Sequence, residues 1–460
     1  MTDDTRVLSS RSELRTGISS EEPLVSVRGL KTYYSIRGNF LDRLIGREGA
    51  AVRAVDDVSL ELRKGEVLGL VGESGSGKTT LGRTLLGLVP ATAGSVVFEG
   101  RELTGLRERD LRRLRRRIQV VFQDPHASLN PAMTIAQAVG HPLEIHGVAG
   151  SREQLRAQVA SALERVGLAP AEQFMDKYPS DLSGGQKQRA VIARAIILSP
   201  VLLVADEPVS MLDMSVRAKI LELMLALKNE LDLTYLYITH DLATAKFFCD
   251  RIAIMYLGRI VEIGPSEEIY ENPRHPYTQA LLKAIPEPDP RRSVPRDLPR
   301  GEVPDASRPP LGCSFHPRCP RAFEVCGWES RDLRELLERR WAHLEEERYE
   351  AEQAALGSLD PLDTPQTRVR LPVGDPGRAM QVLETARDAD PADPFWRGVK
   401  RLEPANGALE IEWHEPLSPR LLPAGVVEVE CHLYDEEALR RAEQLRAPRE
   451  PVASGSGGAT

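Results

Sequence analysis

The amino-acid sequence predicts an α/β fold. From residue 24 to about residue 264, short apolar runs alternate with longer amphipathic stretches, which is the pattern of strands alternating with helices. A glycine-rich stretch directly after one apolar run adds the strand–loop–helix order typical of such folds. We predict buried strands over 67–71, 118–122, 201–205 and 235–239, and helices over 152–166 and 216–230.

Length and composition restrict the classes of protein that this chain can be. With 460 residues, 41% hydrophobic and 28% charged, it is long enough for two or three domains with real cores. No window approaches the roughly 18 consecutive apolar residues of a spanning helix, and residues 1–22 lack the apolar segment of an export signal. The net charge of −8 argues against a general nucleic-acid binder. Five cysteines without an export signal indicate a reducing compartment, so we expect a soluble intracellular protein.

The glycine-rich stretch predicts a phosphate-binding loop. It consists of Gly72-Glu73-Ser74-Gly75-Ser76-Gly77-Lys78-Thr79 and matches G-x-x-x-x-G-K-[ST] between a strand and a helix. The glycines let successive backbone N–H groups point at phosphate oxygens, and the helix adds its positive dipole end. We expect Lys78 to reach the β- and γ-phosphates and Thr79 to ligate Mg²⁺. We also expect Thr80, the next residue in the helix, to bind the nucleotide.

An acidic pair follows a second predicted strand. The run 201–205 ends in Asp206 and Glu207, at the strand edge where ligands lie in open α/β sheets. Acidic pairs at strand ends are common by chance, but this one accompanies a phosphate loop. We therefore expect Asp206 to hold Mg²⁺ and Glu207 to polarise the attacking water.

Further motifs resemble those of ATP-binding cassette (ABC) proteins. The residues Leu182-Ser183-Gly184-Gly185-Gln186, followed by Gln188-Arg189, are similar to the signature motif of that family. The resemblance implies an ABC-type P-loop nucleotide-binding domain, with a mixed sheet core and a helical subdomain. It also implies that the signature, Ser183, Gly184, Gly185 and Gln186, binds the γ-phosphate of ATP held by an opposite subunit. One site then requires two cassettes.

Four single residues fall in the order that this family has. Gln123 resembles the Q-loop glutamine, which also ligates Mg²⁺, and Asp213 the D-loop aspartate. His240 resembles the switch histidine, and Tyr34 or Tyr33 the aromatic residue that stacks on adenine; of these two, Tyr34 is preferred. A lone histidine after a strand is more often structural, so the order of the motifs carries these assignments. The resemblance implies ATP and Mg²⁺ as cofactors, with Glu207 and His240 catalytic.

The segments 255–278 and 285–290 resemble the ATPases of oligopeptide and dipeptide importers, a group that includes nickel and some sugar importers. This resemblance implies an ATP-hydrolysing subunit on the cytoplasmic face of the cell membrane. Its implied partners are a second ABC ATPase subunit, related or identical, two permease subunits and an extracytoplasmic solute-binding protein, with no nucleic acid. The alternative is a soluble ABC-type ATPase acting on DNA or ribosomes. Such proteins tend to carry a coiled-coil insertion between loop and signature, and no heptad run lies between Lys78 and Ser183.

Four cysteines continue the importer resemblance. Their spacing lacks the C-x-x-C of most zinc sites, and from the residues alone buried free thiols are favoured. Importer ATPases with this cysteine pattern can hold a [4Fe–4S] cluster, for which thiolates are suitable ligands. The long interval before the last cysteine departs from the family, so either the intervening chain loops out or the site is lost. The four are Cys313, Cys319, Cys326 and Cys431.

Composition and resemblance together divide the chain into segments. The segment 330–425 is an insertion with no recognisable motif, and the rest follows the importer pattern or is polar and loop-like. We expect a disordered lead (1–23), the ABC ATPase domain (24–266, with its helical subdomain at about 125–195), an importer-type extension with the cysteines (267–329), the insertion (330–425), a return segment with Cys431 (426–436) and a disordered tail (437–460).

Overall fold

The computed structural model describes residues 22–36, 51–285 and 301–446. Nearly all of the expected lead (1–23) and the last part of the expected tail (447–460) lie outside these residues. The described chain forms sheets of four, eight and three strands. The strands are β1 (Val25–Ser35), β2 (Ala51–Leu62), β3 (Val67–Val71), β4 (Ala93–Phe98), β5 (Arg101–Glu102), β6 (Ile118–Val121), β7 (Leu202–Asp206), β8 (Thr234–Thr239), β9 (Arg251–Tyr256), β10 (Arg259–Pro265), β11 (Arg368–Pro372), β12 (Val399–Ala405), β13 (Ala408–Trp413), β14 (Leu421–Ala424) and β15 (Val427–Glu430).

Helices connect these strands and build a separate helical layer. The two predicted helices, over 152–166 and 216–230, are present with ends shifted by one or two residues. The α-helices are α1 (Lys78–Leu85), α2 (Glu108–Leu114), α3 (Pro125–Ser128), α4 (Ile135–Ile145), α5 (Arg152–Arg165), α6 (Glu172–Met175), α7 (Gly184–Ile196), α8 (Met214–Leu231), α9 (Leu242–Phe248), α10 (Ser266–Glu271), α11 (Pro276–Lys283), α12 (Ser330–Trp341), α13 (Glu346–Leu356), α14 (Pro376–Ala389), α15 (Phe395–Gly398) and α16 (Glu436–Arg446).

The eight-stranded sheet has the order β14-β15-β10-β9-β3-β8-β7-β6. Five neighbouring strands, β6, β7, β8, β3 and β9, are parallel to one another. Beyond β9, the strands β10, β15 and β14 each pair antiparallel with the strand before them in this order. Alternate side chains of a strand enter opposite cores: Leu203 lies in one and Leu202 in the other. A sheet covered on both faces has strands that are apolar throughout, which is why the sequence showed them as continuous apolar runs. The structure confirms the predicted α/β fold with a mixed sheet.

A helical layer occupies residues 125–196, from α3 to α7. Three of its helices begin with a capping box. In each, the side chain of the residue just before the helix accepts from the backbone N–H of the third helical residue, and the side chain of that third residue accepts from the backbone N–H of the capping residue. The capping residues are Thr134, Ser151 and Ser183. Since each cap fixes where its helix starts, Ser183 sets the start of α7 at the predicted signature motif.

The expected insertion packs into a third hydrophobic core, separate from the two cores of the central sheet. Strands β11, β13 and β12 form an antiparallel sheet, and α12 and α14 pack their apolar residues against it. Trp328 and Cys326 from the cysteine-containing extension belong to the same core as Leu409 and Trp413. The insertion and the extension therefore fold together as one lobe, which we call the C-terminal lobe (301–446).

The hairpin β14–β15 joins the C-terminal lobe to the central sheet. Its second strand pairs antiparallel with β10, with Glu262 opposite Val429. Beside this pairing, Arg259 donates from Nε and Nη2 to the two carboxylate oxygens of Glu430 at 2.6 and 2.9 Å. The next residue is Cys431, so the hairpin returns that cysteine to the extension after the inserted residues.

The prediction of a disordered tail from residue 437 is wrong for its described part. Residues 436–446 form helix α16, and the buried side chains of Ala438 and Ala442 pack into the core of the C-terminal lobe. Arg446 donates to both carboxylate oxygens of Glu324, at 2.7 and 2.8 Å. The segment was polar enough to suggest disorder, but two alanines four residues apart form a sufficient contact face.

Stability of the C-terminal lobe can be measured separately, because all four tryptophans of the chain lie between residues 328 and 413. We expect Leu409→Ala to destabilise this lobe by about 2–5 kcal/mol, since Leu409 is fully buried and the change leaves a cavity. Urea unfolding followed by tryptophan fluorescence measures the loss. The control is Leu439→Ala, at a leucine that is 38% exposed, with an expected change below about 0.5 kcal/mol. Equal shifts in the two variants would contradict the assigned core.

Candidate functional site

The phosphate loop lies between β3 and α1 and requires its glycines. Gly77 has φ +101°, and a Cβ placed on it would lie 1.9 Å from the carbonyl oxygen of Ala54. A Cβ on Gly72 would lie 2.1 Å from the carbonyl oxygen of Met255. Neighbouring backbone thus passes too close for any side chain, and the loop curls as the sequence predicted.

Lys78 is buried inside the loop. Its Nζ donates to the carbonyl oxygens of Gly72 and Glu73, both at 2.8 Å, and burial lowers its pKa. These carbonyls hold the ammonium group within the curve of the loop. A triphosphate entering the loop offers charged oxygens in their place.

The predicted magnesium ligands lie together at the start of α1. Thr79 donates from Oγ1 to Oδ1 of Asp206 at 3.1 Å, and burial raises the pKa of Asp206. A hydroxyl and a carboxylate at this separation fit a magnesium ion, which prefers oxygen ligands and keeps several waters. The third predicted ligand, Gln123, instead donates its Nε2 to Glu207.

Three side chains meet at the carboxyl ends of adjacent parallel strands. Glu207 follows β7 and accepts from Nε2 of Gln123 at 2.9 Å on one oxygen; its other oxygen lies 3.0 Å from Nδ1 of His240. Gln123 lies just beyond β6 and His240 just after β8. The backbone of Glu207 has φ +48°, and its N–H donates to the carbonyl of Ile238, which aims the carboxylate toward the site. The arrangement can hold and polarise a water molecule beside a bound phosphate.

The signature motif begins helix α7. Ser183 and Gly184 are exposed, Gly185 lies in the first turn, and Gln186 completes the capping box of Ser183. Among the described residues, no hydrogen bond joins this motif to the phosphate loop. Exposed N–H groups at a helix start are suited to an anion from another molecule.

Two more predicted residues are placed by local contacts. Asp213 caps α8 by accepting from the N–H of Val216 at 3.0 Å, and this hydrogen bond lowers the pKa of Asp213. Tyr33 donates its hydroxyl to Asp56, and burial together with that carboxylate raises the pKa of Tyr33 to about 12. Tyr34 is 43% exposed, so its ring is the more available of the two for a base.

The four cysteines line one small enclosed cavity with room for about one water molecule. Burial raises the pKa of Cys313, Cys319 and Cys431 to about 12, and it raises the pKa of Cys326 as well. Among the described residues, no group of three or more His, Cys, Asp or Glu side chains is arranged to hold a metal ion. The structure thus brings the predicted cysteines together without forming a metal site.

The fold and the site define a P-loop nucleotide-binding domain of the cassette type. The family model described as "ABC transporter" matches residues 55–210, and that described as "Oligopeptide/dipeptide transporter, C-terminal region" matches residues 261–326. The chain belongs to the ABC transporter ATP-binding proteins, and it is an ATPase. The second match favours transport over the alternative of an ATPase acting on DNA or ribosomes.

Similar proteins carry corresponding names. A Brucella ovis protein named as a peptide import ATP-binding protein is 46% identical over 69% of this chain and 96% of its own length. The oligopeptide transport ATP-binding protein AppF of Bacillus subtilis is 45% identical over 67% of this chain and 92% of its own length. A dimeric cassette structure of MJ0796 bound to ADP and phosphate is 30% identical, covering 53% of this chain and 98% of that one, with a TM-score of 0.46. None of the described helices combines the length and apolar character needed to cross a bilayer.

Sequence reasoning missed the contacts that the C-terminal part of the chain makes with the phosphate loop. No motif of the nucleotide site includes Tyr277 or Arg318. Both reach Glu73 in the structure. Nothing in either local sequence points to a partner 204 or 245 residues away, so the fold was needed to find these contacts.

A glycine pair tests the loop geometry. We expect Gly77→Ala to destabilise the nucleotide-free protein by more than about 3 kcal/mol, because the added Cβ collides with backbone. Gly75 also has a positive φ, +80°, but a Cβ there meets nothing within 4 Å. Gly75→Ala is therefore the control, with a cost of about 1–2 kcal/mol from backbone strain alone. Thermal unfolding followed by circular dichroism measures both; a smaller effect at Gly77 than at Gly75 would contradict the geometry.

Proposed function

We propose that this chain is the ATP-hydrolysing, energy-coupling subunit of an ABC importer for oligopeptides or dipeptides. The observation that carries the proposal is the gathering of Lys78, Asp206, Glu207, Gln123 and His240 at one edge of the parallel sheet. The match to an oligopeptide/dipeptide transporter region and the names of the relatives support the cargo class.

The proposed catalytic unit is residues 24–266, with the helical subdomain at about 125–195. The extension (267–329) and the return segment (426–436) belong to the proposed importer-type C-terminal region. The insertion (330–425) lies between them in the chain. The division between the catalytic unit and the insertion is supported by their cores, since the insertion contributes its buried core residues to the C-terminal lobe and none to the cores of the central sheet.

Two cassettes form the proposed working site. The signature motif at Ser183 is exposed and has no hydrogen bond to the phosphate loop of its own chain within the described residues. We propose that it binds the γ-phosphate of ATP held by a second cassette docked head to tail. Each γ-phosphate then bridges the two subunits, and its hydrolysis releases them. Asp213, exposed at the start of α8, lies on the same proposed face.

Glu207 is the proposed catalytic carboxylate. Gln123 and His240 bond its two oxygens and so fix the orientation of the carboxylate. With ATP bound, the carboxylate orients a water for in-line attack on the γ-phosphorus and accepts its proton. Lys78 and His240 stabilise the charge on the transferring phosphoryl group. Thr79 and Asp206 would hold a Mg²⁺ ion, which would neutralise phosphate charge.

The proposed partners follow from the importer assignment. They are a second ABC ATPase subunit, related or identical, two permease subunits, and an extracytoplasmic solute-binding protein that acts through the permease. The ATPase lies on the cytoplasmic face of the membrane as a peripheral subunit. Gln123 begins the segment through which the nucleotide state reaches the permease.

The variant Glu207→Gln tests the catalytic assignment. It keeps the shape of the side chain but removes its charge and replaces one accepting oxygen with a donating NH₂ group, so we expect ATP binding and a longer-lived closed dimer with turnover reduced by at least about 100-fold. Phosphate release and size-exclusion chromatography with Mg-ATP measure these effects. Glu271→Gln, at an exposed glutamate outside the site, is the matched control and keeps full turnover. Unchanged hydrolysis by Glu207→Gln would remove it from the catalytic role.

We further propose that the cavity of Cys313, Cys319, Cys326 and Cys431 holds a [4Fe–4S] cluster. The four cysteines that line this cavity supply thiolates, the ligands that suit such a cluster, but the cavity has room for only about one water molecule and the described side chains are not arranged as a metal site, so binding would require the cysteines to move apart. Buried His432 lines the same cavity, and within the described chain neither of its ring nitrogens has a hydrogen-bond partner. An orphaned buried imidazole supports a further polar group in this space.

Anaerobic purification tests the cluster. We expect a brown protein with about four iron atoms and four acid-labile sulfides per chain. Cys431→Ala should lose most of the iron because one of four ligands is gone. Cys249→Ala is the matched control, since Cys249 is buried in the core outside the cavity and should leave the iron content unchanged. A colourless wild-type preparation without iron would contradict the proposal.

A further inference from the structure

The second residue of the phosphate loop, Glu73, is bonded at all three of its polar groups. Its carbonyl oxygen accepts from Lys78 Nζ at 2.8 Å, inside the loop. Its backbone N–H donates to the hydroxyl of Tyr277 at 3.1 Å. Its carboxylate accepts from Nη1 and Nη2 of Arg318 at 3.0 and 3.4 Å. Two of these three attachments come from beyond residue 266, outside the proposed catalytic unit.

Arg318 is held in place by an aromatic cluster. Its side chain is 9% exposed, and its Nη1 also donates to the hydroxyl of Tyr256 at 3.4 Å. The guanidinium carbon lies 5.8 Å from the ring centre of Tyr256 and 5.9 Å from that of Phe315. The ring of Tyr277 packs against both rings, with centroids 4.6 and 5.4 Å away. Both partners of Glu73, Arg318 and Tyr277, therefore belong to one packed aromatic cluster.

We propose that Arg318, with Tyr277, is a positioning residue for the phosphate loop, so that the C-terminal extension forms part of the ATP site. The inference rests on the proposed nucleotide site. When ATP binds, the ammonium group of Lys78 turns to the phosphates and releases the carbonyl of Glu73. Glu73 then keeps the turn hydrogen bond from the N–H of Ser76 and its two attachments to the extension, which are its only hydrogen-bonded contacts from outside the loop among the described residues. Since glycine-rich backbone loses much entropy when it is ordered, a loop fixed in advance binds the triphosphate more tightly.

The contact acts on binding more than on chemistry. Arg318 touches Glu73, whereas the catalytic carboxylate of Glu207 is oriented by Gln123 and His240 from other strands. Loosening the loop therefore weakens affinity for ATP and leaves the oriented water in place once ATP has bound. This separation distinguishes positioning from a general folding role, which would reduce the active fraction without changing affinity.

The test uses Arg318→Met in the full-length chain. We expect the Kd for a fluorescent non-hydrolysable ATP analogue with Mg²⁺ to rise about tenfold or more, the loss typical of a bond between charged groups. In the hydrolysing complex, KM for ATP should rise similarly while kcat changes by less than about twofold. Arg318→Lys keeps the charge but not the two-pronged contact, so it should restore part of the affinity. Tyr277→Phe removes a single hydroxyl, and it should weaken binding a few-fold.

A double-mutant cycle and two controls show whether Arg318 acts on ATP binding through Glu73. If Arg318 acts through Glu73, then Glu73→Gln and Arg318→Met together should weaken binding no more than the larger single change. Arg446→Met breaks another arginine–glutamate pair of the C-terminal lobe and should leave the Kd unchanged. Wild-type Kd in Arg318→Met, or losses that add in full, would overturn the inference. If Lys78→Ala also binds normally, the proposed nucleotide site itself is wrong; if Lys78→Ala alone loses binding, only the role of Arg318 fails.

Discussion

The parallel pairing of β6, β7, β8 and β3 is the constraint on which the site depends. Matched register, with Val71 beside Thr239 and Ala205 beside Tyr237, brings the carboxyl ends of these strands to one edge of the sheet. The residues that follow each strand are consequently neighbours, although they are far apart in the chain. Hydrogen bonding of the backbone, rather than any attraction between the polar side chains, assembles this group. The desolvation that raises the pKa of Asp206 is a cost that the buried sheet imposes on it.

The polar groups of the site bond one another. Lys78 is held by loop carbonyls, and Glu207 is held between an amide and an imidazole. Lys78 is buried, and a buried polar group without a partner would cost free energy, so its two carbonyl partners stabilise the loop. The two hydrogen bonds on Glu207 restrict its carboxylate to one orientation, which limits the ordering that ATP must induce.

The C-terminal lobe is joined to the sheet at three different kinds of contact. Backbone pairing of β15 with β10 continues the sheet, and the Arg259–Glu430 pair lies beside it. The contact of Arg318 with Glu73 reaches the phosphate loop directly. Within the lobe itself, buried His316 lies 3.0 Å from a carboxylate oxygen of Asp332 on α12 and so connects the cysteine region to the insertion. A lobe attached in this way is in a position to influence the nucleotide site, and removing it would expose both β10 and the back of the loop.

The sequence by itself determined the buried strands, the phosphate loop, the acidic pair and the order of the remaining motifs, because these depend on local periodicity and on residue types at fixed spacing. It could not show that helix α16 replaces part of an expected tail, since two alanines gain a core only when the lobe has folded around them. Nor could it show that Cys431 returns to the other cysteines after a long insertion, or that Arg318 meets Glu73. Those contacts join residues separated by many elements, and the tertiary structure alone decided them because sheet pairing and core packing, not chain proximity, set which distant side chains touch.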